Sequence, residues 1–191
     1  MVIRVCVEGG DPKYKDAPIN VNYRRAFGKV FSAHPPRFLF IMCGSKDEVD
    51  KRFRRFIKSR HDRKAYNREI ILMLKDSDGN DLKDLRQNVI ESIAKELKPS
   101  IKPDEDIHFM VQAIEAWFLA DRELIRNEYG NDPPDQNPED IAKPKDVLKG
   151  ISKSRYRENS APELLEKISR EIVITRCPAF QRFDNRLRNL C

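Results

Sequence analysis

The chain has 191 residues, of which 36% are charged, and a formal net charge of +6; this length suits one domain with a real hydrophobic core. A mean hydropathy of -0.69 and the lack of any apolar run of membrane length exclude a spanning helix, and the first residues lack a secretory signal pattern. The basic balance favours an anionic partner, nucleic acid first, while Cys6, Cys43, Cys177 and Cys191 show no paired metal-ligand spacing and read as reduced cytoplasmic thiols.

Residues 2–7 read as a first strand that stops at Glu8-Gly9-Gly10-Asp11, where glycine lets the chain turn and leaves Glu8 at the strand's carboxyl end. Residues 21–31 carry helical spacing, closed by His34-Pro35-Pro36. Residues 37–43 form a second apolar strand ending at Gly44. Ser45 with Glu48 three positions on predicts a capping box, followed by a helix with Val49, Phe53 and Phe56 inward. Its outer side is basic: Arg52, Arg54, Arg55 and Lys58, continued by Arg60, Arg63 and Lys64. That run reads equally as a solvated face suited to a helix C-terminus and as a phosphate contact.

Residues 70–74 are a third strand, and 81–97 a helix with the stripe Leu82, Leu85, Val89, Ile93, Leu97, stopped before Pro99. A loop at 103–106 leads to a fourth strand at 107–111, which runs directly into a helix over 112–121. Alternation of strand and helix predicts an α/β fold with a mostly parallel central sheet flanked by helices. Beyond residue 128 the pattern changes. A loop rich in Pro, Asn and Asp over 131–144 precedes short helices at 145–150, 161–169 and 179–190, the last with Phe180, Phe183, Leu187 and Leu190 on one face. This divides the chain into a core of residues 1–128 and a helical extension of 129–191.

The acids carry the chemistry. Asp76 and Asp78 follow the third strand, with Gly79 next. They read either as a solvated turn whose Asn80 or Asp81 caps the next helix, or as carboxylates held together by a cation. An EF-hand is excluded, because Gly79 comes too early and Gln87 stands at the closing position. In a parallel sheet the carboxyl ends of strands share one edge. If the first and third strands pair, Glu8, Asp76 and Asp78 converge on one or two hard cations, Mg²⁺ or Mn²⁺, suited to phosphodiester cleavage. Glu115 is the only charge between Phe109 and Ala120, and so is either salt-bridged to an arginine or turned toward the acidic cluster. Helical spacing groups it with Gln112, Leu119 and Arg122, opposite Trp117. Asp121 caps the segment holding Leu124 and Ile125. His34, His61 and His108 read as ordinary residues. With no P-loop and no Gly-x-Ser-x-Gly elbow, ATP hydrolysis by this chain is not expected.

Taken in order, Val7-Glu8-Gly9-Gly10-Asp11, Arg25-Ala26-Phe27, Cys43-Gly44, Asp76-Ser77-Asp78 and the block His108 to Asp121, then Lys143 to Leu148, Tyr156, Leu164-Leu165 and Cys177-Pro178-Ala179-Phe180, resemble a bacterial family of uncharacterised proteins grouped with Toprim-like proteins. The resemblance covers nearly the whole chain. It implies a Toprim-like (Rossmann-like) sheet with a C-terminal helical extension, and Mg²⁺ held by Glu8, Asp76 and Asp78. It further implies a nuclease acting on DNA or RNA, as the effector of an anti-phage defence complex with an ATPase partner. A non-catalytic binding or scaffold subunit of such a complex is the alternative. Lys143, Lys145 and Arg155 are the candidates for the assisting cation of some Toprim nucleases. The chain departs from the family pattern at Lys75, whose charge would oppose a cation if it pointed toward the site.

Overall fold

The computed structural model describes residues 1–11, 17–31, 38–66 and 68–190. The closing His34-Pro35-Pro36, the start of the second predicted strand at Arg37, and Cys191 lie outside the described residues.

Four strands form one sheet: β1 (Val2–Val7), β2 (Phe38–Met42), β3 (Glu69–Asp76) and β4 (Ile107–Met110). The order is β2-β1-β3-β4 and every pairing is parallel. The period of two along each strand sorts the side chains onto two cores. Ile3, Val5, Val7, Leu72, Leu74 and Met110 face one side. Cys6, Ile71, Met73, Ile107 and Phe109 face the other. Helix α1 (Pro18–Val30) covers the first side with Tyr23, Ala26, Phe27 and Val30. Helices α2 (Lys46–Asp62) and α3 (Leu82–Glu91) cover the second, through Val49, Phe53, Ile57 and Val89. The sheet is therefore wound in both directions from β1, and its topological switch point lies between the carboxyl ends of β1 and β3, where open α/β sheets place their ligands. Among the described residues no helix is long and apolar enough to cross a membrane.

The remaining helices are α4 (Pro103–Asp106), α5 (Glu115–Ala120), α6 (Arg122–Tyr129), α7 (Pro144–Ile151), α8 (Ala161–Lys167), α9 (Arg170–Arg176) and α10 (Pro178–Arg188). Helices α5 to α10 enlarge the α1 side of the sheet. Trp117 of α5 meets Phe27 and Phe180 edge-on, at 6.5 and 4.7 Å between ring centroids, and Phe180, Phe183 and Leu187 are fully buried.

Several boundaries differ from the sequence reading. Ser45 precedes α2 without a side-chain cap, and the Glu48 carboxylate, expected to reach back to the Ser45 N–H, pairs with Lys51 at 2.7 Å. Ile57 takes the fully buried place expected for Phe56. The helix expected over 81–97 breaks after Ser92 and resumes as a 3-10 turn, Lys95–Ser100, with Pro99 inside it. Proline disfavours the α conformation of the residue before it and removes an N–H. The expected loop at 103–106 is α4, and α9 has no counterpart among the expected helices; Ser169 caps it by accepting from Ile172 N.

Candidate functional site

In the register of β1 and β3, Val7 stands opposite Leu74, so β3 runs two residues past the end of β1. Glu8 N still donates to Leu74 O (3.0 Å), but β1 then turns away through Gly9 at φ +105°. The next donor of β3, Asp76 N, is left without a strand partner on that side, and the Glu8 carboxylate accepts from it at 3.0 Å. Two acids are thereby drawn together by the way the strands end. Gly10 allows a close approach on the same turn. A Cβ there would lie 2.1 Å from Asn20 Oδ1, the atom that accepts from Asp11 N.

Asp76 projects on the α1 side and Lys75, one residue earlier, on the α2 side. Lys75 is buried and bound to Asp50 of α2 at 2.8 and 3.1 Å; it points away from the site. Asp76 is half-buried, and its Oδ1 is wholly shielded with no hydrogen-bond partner. Burial pushes its carboxyl well above the usual range, and the charges of Glu8, Glu115 and Asp78 push the same way. Burial also raises the Glu8 carboxyl, against the stabilising hydrogen bond from Asp76 N. Asp78 differs from both. It sits at φ +47° in a turn closed by Asn80 N to Ser77 O (3.0 Å), is exposed, and pairs with Lys46 at the start of α2. Asp81 caps α3 by accepting from Lys83 N and Asp84 N, as expected.

The segment after β4 does not continue as a helix. Gln112 takes φ +62°, its N–H donates to Ser77 Oγ (2.8 Å) and its carbonyl accepts from Asp78 N. Bonding to the end of β3 thus diverts residues 111–114, and α5 begins only at Glu115. The expected helical face shared by Gln112 and Glu115 does not exist. Glu115 nevertheless lies at the site: it is buried, lines the same cavity as Glu8, Asp76 and Asp78, and accepts from Tyr156 Oη at 2.7 Å. Of the two alternatives, the arginine salt bridge is not the one found: the partner is a tyrosine. Asp121 caps α6 through Leu124 N and also holds Ser169 N.

The cavity measures about 1010 Å³. The acids of the sheet form its floor, and Lys143, Lys145, Tyr156 and Glu158 of the extension form a wall. Lys143 is exposed at φ +54° just before α7, and Lys145 pairs with Glu158. Arg155 is not among the lining residues. It donates to Tyr129 O at 2.6 Å and stacks over the Tyr129 ring, so it does not serve this site.

The basic run behaves unevenly. Arg52, Arg54, Arg55 and Lys58 stay at least partly accessible, with Lys58 paired to Asp62. Arg60 is buried and donates to Ser100 O (2.6 Å) and Glu69 O (3.4 Å), so it is a structural residue and not a phosphate contact. Arg63 is bound to Glu69, the first residue of β3. It and the neighbouring Lys64 therefore lie toward the sheet's amino edge, opposite the acids.

Among the described residues, no group of three or more His, Cys, Asp or Glu side chains is arranged to hold a metal ion. The donors suit a hard cation none the less: they are all carboxylate oxygens, and one of them is buried without a partner. Mg²⁺ takes one or two carboxylates and completes its shell with water and phosphate oxygens.

A family model described as a domain of unknown function, DUF4276, matches residues 16–188. The chain belongs to this family. No curated protein and no solved structure matches it. The DUF4276 match takes in Asp76, Asp78, Glu115 and Tyr156, spanning most of the sheet and nearly all of the extension; Glu8 precedes it. Two site residues of this DUF4276 chain escape sequence reasoning. Lys46 has a faint signal, a cation just after the Gly44-Ser45 turn at the edge where the acids gather. Tyr156 stands in the sequence as one residue of the family pattern, but nothing there gives its role, because it lies 41 positions from the residue it binds.

Proposed function

We propose that this protein is a divalent-cation-dependent nuclease of Toprim-like design that hydrolyses phosphodiester bonds of DNA or RNA. The observation that carries the reading is the Glu8–Asp76 pair at the switch point, two carboxyls raised by burial, with one shielded oxygen left without a partner. Like charges so placed call for a cation. The floor of the cavity is also too acidic to admit a phosphate unaided. When bound, the metal neutralises that charge, polarises a phosphoryl oxygen and lowers the pKa of its water. Glu8 and Asp76 would hold it. Asp78 joins only by giving up Lys46, and Lys143 and Lys145 stand on the far wall to meet the remaining phosphate charge. The accessible Arg52, Arg54, Arg55 and Lys58 extend the contact along the nucleic acid. An ATPase partner and a role in anti-phage defence rest on the resemblance alone. The unpaired Cys6, Cys43 and Cys177 favour a reducing, cytoplasmic setting.

Purified protein should cleave single- or double-stranded DNA or RNA with Mg²⁺ or Mn²⁺, and stop with EDTA. Glu8→Ala and Asp76→Ala should each lower the rate at least about 100-fold, on the scale of losing a main catalytic group. Cleavage that survives either change refutes the assignment. A second reading, a non-catalytic binding subunit, is favoured by the engagement of Asp78 with Lys46 and the lack of a three-ligand cluster among the described residues. It predicts partner binding unaffected by loss of the acids, and no cleavage.

A further inference from the structure

Buried acids elsewhere in the molecule meet a cation or the backbone. Asp184 faces Arg170 at 2.7 Å and Arg188 at 2.9 Å, Glu69 faces Arg63 and Arg4, and Asp106 faces Arg186. Glu139 accepts from Ala179 N. Glu115 is as deeply buried, yet its hydrogen bond comes from a neutral phenol, Tyr156 Oη. A neutral donor satisfies one carboxylate oxygen and leaves the charge standing. A structural acid gains most from the opposite arrangement, in which its charge is cancelled. Here the carboxylate is kept in a cavity where its charge adds to the repulsion on Asp76, and the cation that feels it, Lys145, forms its ion pair with Glu158 instead.

Tyr156 is built for that one contact. It is fully buried, its N–H donates to Ser152 Oγ (3.0 Å), and its ring meets the edge of Phe118, on the same helix as Glu115, at 6.5 Å. Burial and the Glu115 charge raise its phenol above the ordinary tyrosine value, and its O–H donates to the carboxylate.

We propose that Tyr156 is a positioning residue that fixes the Glu115 carboxylate in the cavity it shares with Asp76, so that the helical extension completes a cation site begun by the sheet. This inference rests on the cation-centre reading above. Glu115 adds negative charge, and through it an oxygen for the cation or its water; Tyr156 acts only through Glu115 and touches neither cation nor substrate.

Tyr156→Phe removes one oxygen and keeps the ring. Mn²⁺ affinity, read by electron paramagnetic resonance, should fall about 10-fold, the lower end for losing an outer partner of a metal-facing carboxylate. Glu115→Gln keeps an acceptor for the phenol and should fall at least as far. The double variant should lose no more than Glu115→Gln alone, because one residue acts through the other; this cycle reads the coupling even if Tyr156→Phe costs some stability. A metal-free crystal structure of Tyr156→Phe should show the Glu115 carboxylate displaced. Wild-type Mn²⁺ affinity in Tyr156→Phe, with Glu8→Gln and Asp76→Asn both impaired, overturns the positioning role and leaves the cation centre intact. Mn²⁺ affinity unchanged by Glu8→Gln and Asp76→Asn overturns the centre, and the positioning role with it.

Discussion

Asp76 bears an electrostatic cost in the site, and the sign of that cost can be measured. Its carboxyl is raised in the folded protein, by burial first and then by Glu8, Glu115 and Asp78. The folded state therefore holds its proton more tightly than the unfolded chain. In metal-free protein, stability falls as pH rises from the ordinary carboxylate value through the raised one, and the penalty is fully present above it. Asp76→Asn should then stabilise metal-free protein at pH 7 by about 0.5–2 kcal/mol, the usual gain where a functional site is held under conflict. The gain should vanish as the pH falls below the ordinary Asp value. His108, whose pKa burial lowers to about 4, also weakens the fold as the pH falls below its ordinary value, but equally in both proteins, so the difference isolates Asp76. Saturating Mg²⁺ should reverse the order, because only the wild type gains from binding. Thermal melts at both pH values, with and without Mg²⁺, check each step.

Strand β3 separates structure from chemistry by alternation, with Lys75 bound to Asp50 on one side and Asp76 in the cavity on the other. Lys75→Met should cost roughly 1–3 kcal/mol, from the hydrogen-bonded partner it strips from Asp50. Mg²⁺ affinity should stay within about twofold of wild type, as for an independent site; a large change would mean that the Lys75 charge reaches the centre. The four strands are legible in the sequence as short apolar runs; Gly or acids stop the first three, and β3 also signals its own acids. Glu8 is legible as the residue where β1 stops. Helix boundaries are not legible where a distant partner decides them. Ser77, 35 positions away, captures Gln112 and postpones α5. Glu115 stands out in the sequence as an unusual buried acid, but its tyrosine comes from the extension, far along the chain.

At the scale of the whole molecule, the net charge of +6 is spread unevenly, with acids on the cavity floor and accessible cations on α2. Binding of nucleic acid should therefore weaken with salt. Arg54→Glu with Arg55→Glu should lower the slope of log affinity against log salt by about 2, roughly one unit for each phosphate no longer neutralised. Arg60→Met should instead lower the melting temperature and leave that slope unchanged, since its guanidinium bonds backbone carbonyls inside the fold. Fluorescence anisotropy at several salt concentrations separates the two classes.

All of this turns on whether Glu8 and Asp76 form a cation centre. Calorimetric titration of the metal-free protein with Mg²⁺, at neutral and at lower pH, addresses that directly. The pair of carboxylates predicts saturable binding that weakens as the pH falls and protons compete for the raised carboxyls, lost in Asp76→Asn and strongly weakened in Glu8→Gln. Absence of saturable binding in the wild type, or the same binding in Asp76→Asn, would contradict the account.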